Sequence, residues 1–392
     1  MSLILVRIAQ SFRVRQQARS MLFMSTAASG ATSSAKLSIG STLTNVDLAM
    51  EAVRAFFPEA SKVKLTPTSG GVNNVVQFLE MSDGSKKVLR IYNNGMNTPR
   101  VAFEHEILRQ LLAKFESKMS FKIPKFMPTL KDPSKTFVTL SSGAAACVVD
   151  VIEGGLPKLT CVRDIGRASG ELNSMICGLQ LDSSFQSPTP PYFELFKVHH
   201  AVTRDSFYRE MSGKSFDTVR SFSDTMVKEI EEMESKIESL KQLKLPFGLI
   251  HGDLHYDNVL VKDGKVTGLL DFEFASYDWR AMELAICLSK YAGEKDAQGN
   301  SVAMPYFESF IDGFAEKGEL TDPEIEAVPD LINLRILSNV VYFVGRALCG
   351  EDDISSLTTR IGNYVGRVHW IKENGQKIRD SIRSKMRPVH DQ

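Results

Sequence analysis

Asp253, Asn258 and Asp271 are the side chains in this chain that could act together on a reacting group. They lie in Leu249-Ile250-His251-Gly252-Asp253-Leu254-His255-Tyr256-Asp257-Asn258-Val259-Leu260-Val261, followed by Leu269-Leu270-Asp271-Phe272-Glu273. An Asp, an amide five residues on and a second Asp eighteen residues on supply what phosphoryl transfer from ATP requires. One carboxylate accepts or orients the proton of an acceptor hydroxyl, while an Asn and an Asp hold Mg²⁺ against the phosphates. Each of these residues could instead cap a turn, but their joint spacing beside a hairpin favours the phosphotransfer reading. His251 and His255 stand four apart, as zinc ligands on a helix would. Gly252 and the flanking apolar runs indicate a loop between strands instead, so a zinc site of that kind is rejected. His251 is expected to brace the loop through hydrogen bonds to backbone.

These side chains need a scaffold that brings positions 253, 258 and 271 together. Val259-Leu260-Val261 and residues 266–270 are short apolar runs joined by Lys262-Asp263-Gly264-Lys265, and the Asp-Gly pair favours a tight hairpin turn. Such a hairpin carries Asn258 at its entrance and Asp271 at its exit. Upstream, residues 43–57 repeat apolar side chains at helical intervals, and Pro58 ends the run. Strand, Gly70-Gly71 turn, strand, Ser82-Asp83-Gly84 turn and a third strand over 87–92 follow. Gly70 and Gly71 would let backbone amides approach phosphate oxygens.

The third strand presents Arg90, a cation for the α- and β-phosphates, and the helix predicted over 101–115 offers Glu104 or Glu106 to orient it. Glu104 is favoured by its place one turn before Leu108. An Arg at this position is a broader, forked donor than the usual Lys. Residues 124–140 and 144–152 are predicted as further strands. Val149 and Ile152 would border an adenine ring at the crossing between lobes. Beyond Gly155 the pattern turns helical, over 162–179 and most clearly over 221–244. There Phe222, Met226, Ile230, Met233, Ile237 and Leu240 form one stripe, expected to pack within its own domain rather than to dimerise.

At 392 residues and 43% apolar content the chain can bury a large core, and its formal charge of zero gives no whole-protein field to draw in nucleic acid or an anionic membrane. No uninterrupted apolar run approaches the roughly 20 residues of a membrane span, so membrane insertion is not expected. The five scattered cysteines suggest buried thiols. Residues 1–46 contain no Asp or Glu but hold Arg7, Arg13, Arg15, Arg19 and Lys36. Such a segment is expected to be a transit peptide or a disordered tail over 1–40. As a transit peptide it would address the protein to a mitochondrion or plastid; otherwise a cytoplasmic location is expected.

Residues 250–260 together with 268–274 resemble the aminoglycoside phosphotransferase and choline kinase superfamily, small-molecule kinases with a protein-kinase-like fold. The resemblance implies an α+β, two-lobed architecture. An antiparallel-sheet N-lobe would span 43–152 and a larger, mostly helical C-lobe 153–385. It also implies Asp253 as catalytic base, Asn258 and Asp271 as magnesium ligands, and Gly70, Gly71, Asn73, Arg90 and Glu104 around ATP. A protein kinase is less favoured, since Phe272 is followed by Glu273 rather than Gly. The stretch Asp271-Phe272-Glu273-Phe274-Ala275-Ser276-Tyr277-Asp278-Trp279-Arg280 is similar to choline and ethanolamine kinases, and makes Glu273, Asp278 and Trp279 candidates for acceptor contacts. Met282-Glu283-Leu284-Ala285-Ile286-Cys287-Leu288 is closer to kinase-fold homoserine kinases. A homoserine-kinase-like activity on a small hydroxyl-bearing metabolite is the leading expectation. Choline, ethanolamine or methylthioribose as acceptor, or a non-catalytic nucleotide-binding scaffold, are the alternatives. An oligomer is possible.

Overall fold

The computed structural model describes residues 45–67, 74–92, 97–157 and 161–386, within one compact unit, Ser41–Gln392. Gly70, Gly71, Asn73 and the acid-free segment 1–40 lie outside the described residues. The described chain starts with helix α1 (Asn45–Phe56), then strands β1 (Lys64–Pro67), β2 (Val75–Glu80) and β3 (Lys86–Ile91). Helix α2 (Thr98–Phe115) and strands β4 (Val138–Thr139) and β5 (Ala145–Asp150) follow. The strands form one antiparallel sheet in the order β1-β2-β3-β5-β4. Side chains alternate across β3. Leu89 and Ile91 go into a core with Ala49, Ala52, Val53 and Phe56 of α1, and Arg90 is left on the other face, toward α2.

One expectation needs correction here. Residues 124–140 do not form a long strand. Only β4 and an isolated bridge from Phe126 to Val149 are found, because Pro124, Pro128 and Pro133 have no N–H to give to a ladder. The apolar stripe of α2 (Phe103, Ile107, Leu108, Leu111) does not join the core of the small sheet. It is continuous with the core of the helical part, so α2 works as a bracket between the two.

The remainder comprises α3 (Val162–Ile176), α4 (Arg204–Met211), α5 (Arg220–Gln242), β6 (Phe247–Ile250), β7 (Val259–Lys262), β8 (Lys265–Leu269) and β9 (Ser276–Trp279). It closes with α6 (Met282–Ser289), α7 (Ala303–Phe314), α8 (Asp322–Leu348), α9 (Ser355–Thr358) and α10 (Ile361–Lys385). Helices α3 and α7 approach closely, since a Cβ on Gly166 would lie 2.1 Å from the carbonyl oxygen of Phe310. Within α5 the buried apolar positions are those of the predicted stripe except Phe222, which is exposed, and Ser223 and Glu229 are buried beside them. Helix α8 begins at a Thr321–Glu324 capping box. It is long and apolar enough to cross a membrane by length and composition alone, yet 78% of its most apolar window is buried within the protein. Cys147, Cys161 and Cys287 are buried as expected, while Cys349 is exposed.

The hairpin forms as its sequence requires. Strand β7 pairs with β8 around Asp263 and Gly264, which have φ of 52° and 78°, as a two-residue hairpin turn of the I′ kind demands.

Candidate active site

Strand β6 delivers the chain to His251, and the loop that follows is held from several directions. His251 Nδ1 accepts the Asp253 N–H at 3.3 Å, which leaves Nε2 to donate to the Leu270 carbonyl at 2.9 Å. Burial holds the imidazole down to about 4, so it stays neutral. His251 therefore braces this loop against the strand leading to Asp271, as expected. Gly252 has φ +81°, and a Cβ there would lie 2.2 Å from the Phe274 carbonyl oxygen. Only a glycine permits that approach without strain. Beneath the loop, Glu283 Oε2 accepts the His251 N–H at 2.6 Å, and burial pushes this carboxyl up to about 7.

Asn258 and Asp271 are brought to the same end of the hairpin. Leu270 N–H donates to the Asn258 carbonyl at 2.9 Å, one residue before Asp271. The Asn258 amide nitrogen donates to the Asp253 carbonyl at 2.8 Å and approaches Asp253 Oδ2 at 3.4 Å. This use of the nitrogen leaves the amide oxygen to serve as an acceptor or ligand. Asp271 adopts a left-handed φ of 67°, which an L residue adopts at a cost.

Asp253 is the most strongly held carboxylate of the loop. Its Oδ1 accepts from Arg335 Nη2 at 2.6 Å, and His255 Nε2 stands 3.5 Å from Oδ2. Burial alone would raise its pKa. The His255 imidazole and the Arg335 guanidinium outweigh that and hold it well below the usual carboxylate range.

Arg90 lies at the centre of a second cluster. It donates to Glu104 Oε1 at 2.8 Å, to Asp271 Oδ1 at 2.7 Å and to Glu273 Oε2 at 3.2 Å. Burial works against its charge, but the three carboxylates more than compensate and raise its pKa. Glu104, only 2% exposed, is pushed up to about 7 by burial despite Arg90. The Arg90–Glu104 pair foreseen from the sequence is thus present and buried, while Glu106 bonds to Arg109 instead. One guanidinium against three carboxylates leaves an excess of negative charge. Together with the hard oxygen donors of Asp271 and Asn258, that excess suits a divalent cation such as Mg²⁺.

Three acceptor candidates are placed elsewhere. Glu273 belongs to the Arg90 cluster and also accepts from Asn74 at 3.2 Å, because the short 3₁₀ turn after Asp271 swings it back toward β3. Asp278 is fully buried; its Oδ2 accepts the Tyr192 N–H and its Oδ1 the Trp279 N–H, each at 2.6 Å. It anchors the Pro-rich segment before Tyr192 to β9. Trp279 is 5% exposed and packs its ring 4.7 Å from that of Phe193. At the crossing between sheet and helices, Val149 lies on β5, and Ile152 packs so tightly on Gly268 that a Cβ there would meet Ile152 Cγ2 at 2.6 Å.

Arg335 and Tyr192 also contact the Asp253 loop, and neither was among the site residues expected from the sequence. The signal for Arg335 was a lone charge in Asn333-Leu334-Arg335-Ile336-Leu337, within an apolar helix where a buried guanidinium must find a partner. Tyr192 gave no comparable signal. Its hydroxyl donates to the Gly252 carbonyl at 2.7 Å, and its ring lies 5.2 Å from the Arg335 guanidinium.

Residues 215–324 match the family model described as the phosphotransferase enzyme family. A homoserine kinase of Rhodospirillum rubrum is 27% identical over 263 residues, covering 66% of this chain and 73% of that protein. Among solved structures, an amicoumacin kinase in complex with AMP-PNP and Ca²⁺ is similar at a TM-score of 0.57 and 16% identity, covering 82% of this chain and 92% of that one. A microcompartment-associated aminopropanol kinase gives a TM-score of 0.57 at 15% identity, covering 85% and 98%. The two structural likenesses carry the protein-kinase-like fold, which agrees with the antiparallel sheet and helical remainder described above.

Proposed function

We propose that this chain, a small-molecule kinase whose residues 215–324 match the phosphotransferase enzyme family, phosphorylates the hydroxyl of a homoserine-like metabolite with ATP and Mg²⁺. The observation that carries this reading is the convergence of Asp253, Asn258 and Asp271 on one end of the hairpin, tied by the Leu270–Asn258 bond. The homoserine kinase relative supports the acceptor.

In this reading Asp253 positions the acceptor hydroxyl and receives its proton as the oxygen attacks the terminal phosphorus in line, while the bond from that phosphorus to the bridging oxygen breaks and ADP leaves. No covalent enzyme intermediate is needed. Asn258 and Asp271 would hold Mg²⁺, which neutralises phosphate charge when bound. Glu104 fixes Arg90, whose guanidinium serves the nucleotide phosphates. Val149 and Ile152 contribute apolar surface to an adenine site, and Gly70, Gly71 and Asn73 would cover the phosphates. The division into an N-lobe over 43–152 and a C-lobe over 153–385 is part of the same proposal, with α2 shared between them.

ATP consumption over a panel of homoserine, choline, ethanolamine, methylthioribose, hydroxylysine and an aminoglycoside tests the assignment. Turnover of homoserine above the others supports it, and inactivity toward homoserine beside activity on another member removes the proposed acceptor. Organellar import is proposed from the acid-free start. A fluorescent protein fused behind residues 1–46 that stays in the cytosol would remove that part.

A further inference from the structure

The acceptor side of the site contains an arrangement that phosphoryl transfer by itself does not call for. Arg335 is buried on α8, and its fork is only partly satisfied. Nη1 donates to Asn339 Oδ1 at 2.7 Å and Nη2 to Asp253 Oδ1 at 2.6 Å. Nε, on the same edge as Nη2, has no hydrogen-bond partner among the described residues. A buried donor without a partner is costly, and an anionic group of a bound acceptor would relieve that cost.

The fork is also held in place. The Tyr192 ring lies 5.2 Å from the guanidinium, and the Tyr192 hydroxyl is tied to the Gly252 carbonyl of the same loop. Lys290, just beyond the end of α6, has its own pKa lowered by burial and still helps to hold the Asp253 pKa down. Meanwhile Oδ1 of Asp253 is paired with the Arg335 guanidinium and is not free to receive an acceptor hydroxyl. The Nε–Nη2 edge of an arginine matches the two oxygens of a carboxylate. A carboxylate arriving there would satisfy Nε and compete with Asp253 for Nη2 in one step. Choline and ethanolamine have no such group to offer.

We propose that Arg335 docks a carboxylate carried by the acceptor, so that the enzyme selects hydroxy-amino acids over amino alcohols, and that this capture frees Asp253 for the hydroxyl. The proposal rests on the small-molecule kinase reading above but not on homoserine as the particular acceptor.

The test compares acceptor pairs that differ only in the carboxylate: homoserine with 3-aminopropan-1-ol, and serine with ethanolamine. The full chain and its Arg335→Gln and Arg335→Lys variants are assayed with ATP and magnesium. We expect the wild type to prefer the carboxylated member of a pair. In Arg335→Gln that preference in kcat/KM should fall by about 10- to 100-fold, the value of a charge-assisted hydrogen bond, with the larger part in KM. Arg335→Lys, which keeps charge but loses the fork, should recover part of it and controls for folding.

A wild type that prefers the uncarboxylated member of each pair, or a preference unchanged in Arg335→Gln, overturns the proposal. Turnover of hydroxylysine or serine without turnover of homoserine would remove homoserine and leave Arg335 in its role. Should no acceptor be turned over, calorimetry with 2-aminobutyrate decides: binding that Arg335→Gln abolishes supports the proposal, and equal or absent binding overturns it.

Discussion

Replacing Asp253 by Asn removes one charge while keeping the side chain's shape, and the structure separates its effects. The Asp253 backbone carbonyl, which holds the Asn258 amide at 2.8 Å, is untouched. Loop, hairpin and metal donors should therefore stay in place, and binding of ATP with magnesium should persist. What is lost is the charged acceptor for Arg335 Nη2 at 2.6 Å, leaving a buried guanidinium with a neutral amide oxygen. The loss of that charge-assisted bond should cost about 1.5–3 kcal/mol of folding stability. Because pairing holds the Asp253 pKa below its ordinary value, this contribution is present above the usual carboxylate range and lost in acid. The gap between wild type and variant should therefore persist at pH 7 and shrink below about pH 4. Turnover should fall about 10²–10⁴-fold, the usual value of a positioned base. Denaturant melts at the two pH values, calorimetry with nucleotide, and steady-state kinetics measure these quantities separately. Wild-type turnover of every acceptor by Asp253→Asn would refute the assignment of the base.

Four further outcomes follow from the same geometry. Arg90→Met strands the buried Glu104 beside Asp271 and Glu273, and should destabilise the fold by about 3–5 kcal/mol in thermal melts; a loss under 1 kcal/mol would mean the cluster does not hold α2 to the sheet. Asp271→Ala should abolish the magnesium dependence of nucleotide binding, read by calorimetry with and without the metal. Asp271→Gly should do the same but be about 1–2 kcal/mol more stable than Asp271→Ala, since it relieves the left-handed backbone. Gly252→Ala places a methyl 2.2 Å from the Phe274 carbonyl oxygen and should separate the two loops, costing at least about 1–3 kcal/mol and most activity; wild-type kinetics would contradict the packing.

Glu283 gives a pH signature. Its folded pKa of about 7 exceeds the ordinary 4.5, so the folded form keeps a proton that the unfolded chain loses between these values. Its contribution is full below about pH 4.5 and is lost as pH rises to about 7, at about 1.4 kcal/mol per pH unit. Glu283→Gln can keep the His251 N–H bond without titrating, and should flatten the stability slope by one proton. Asp278 and Glu104, also pushed up to about 7, should retain the rest of the slope. An unchanged slope between pH 5 and 7 would show that Glu283 is ionised throughout.

The features legible from residue order alone were local. Asp263-Gly264 specifies a two-residue turn, and period-two alternation then assigns Leu89 and Arg90 to opposite faces of β3. The hairpin places Asn258 and Asp271 at one end, and the foreseen Arg90–Glu104 pair follows from one strand and the next helix. Contacts between residues far apart in the chain were set by packing instead. Arg335 reaches Asp253 across 82 positions, and Asp271 shares Arg90 across 181. The same holds for the three acceptor candidates, since Asp278 and Trp279 are turned into the core by Tyr192 and Phe193, and Glu273 is drawn to Arg90. Propensity and spacing act over a few residues, because turns, strand alternation and helical periodicity are satisfied by neighbours. A buried charge is satisfied by whichever opposite charge the packed core brings within reach, and the packing that does so is a property of the whole chain.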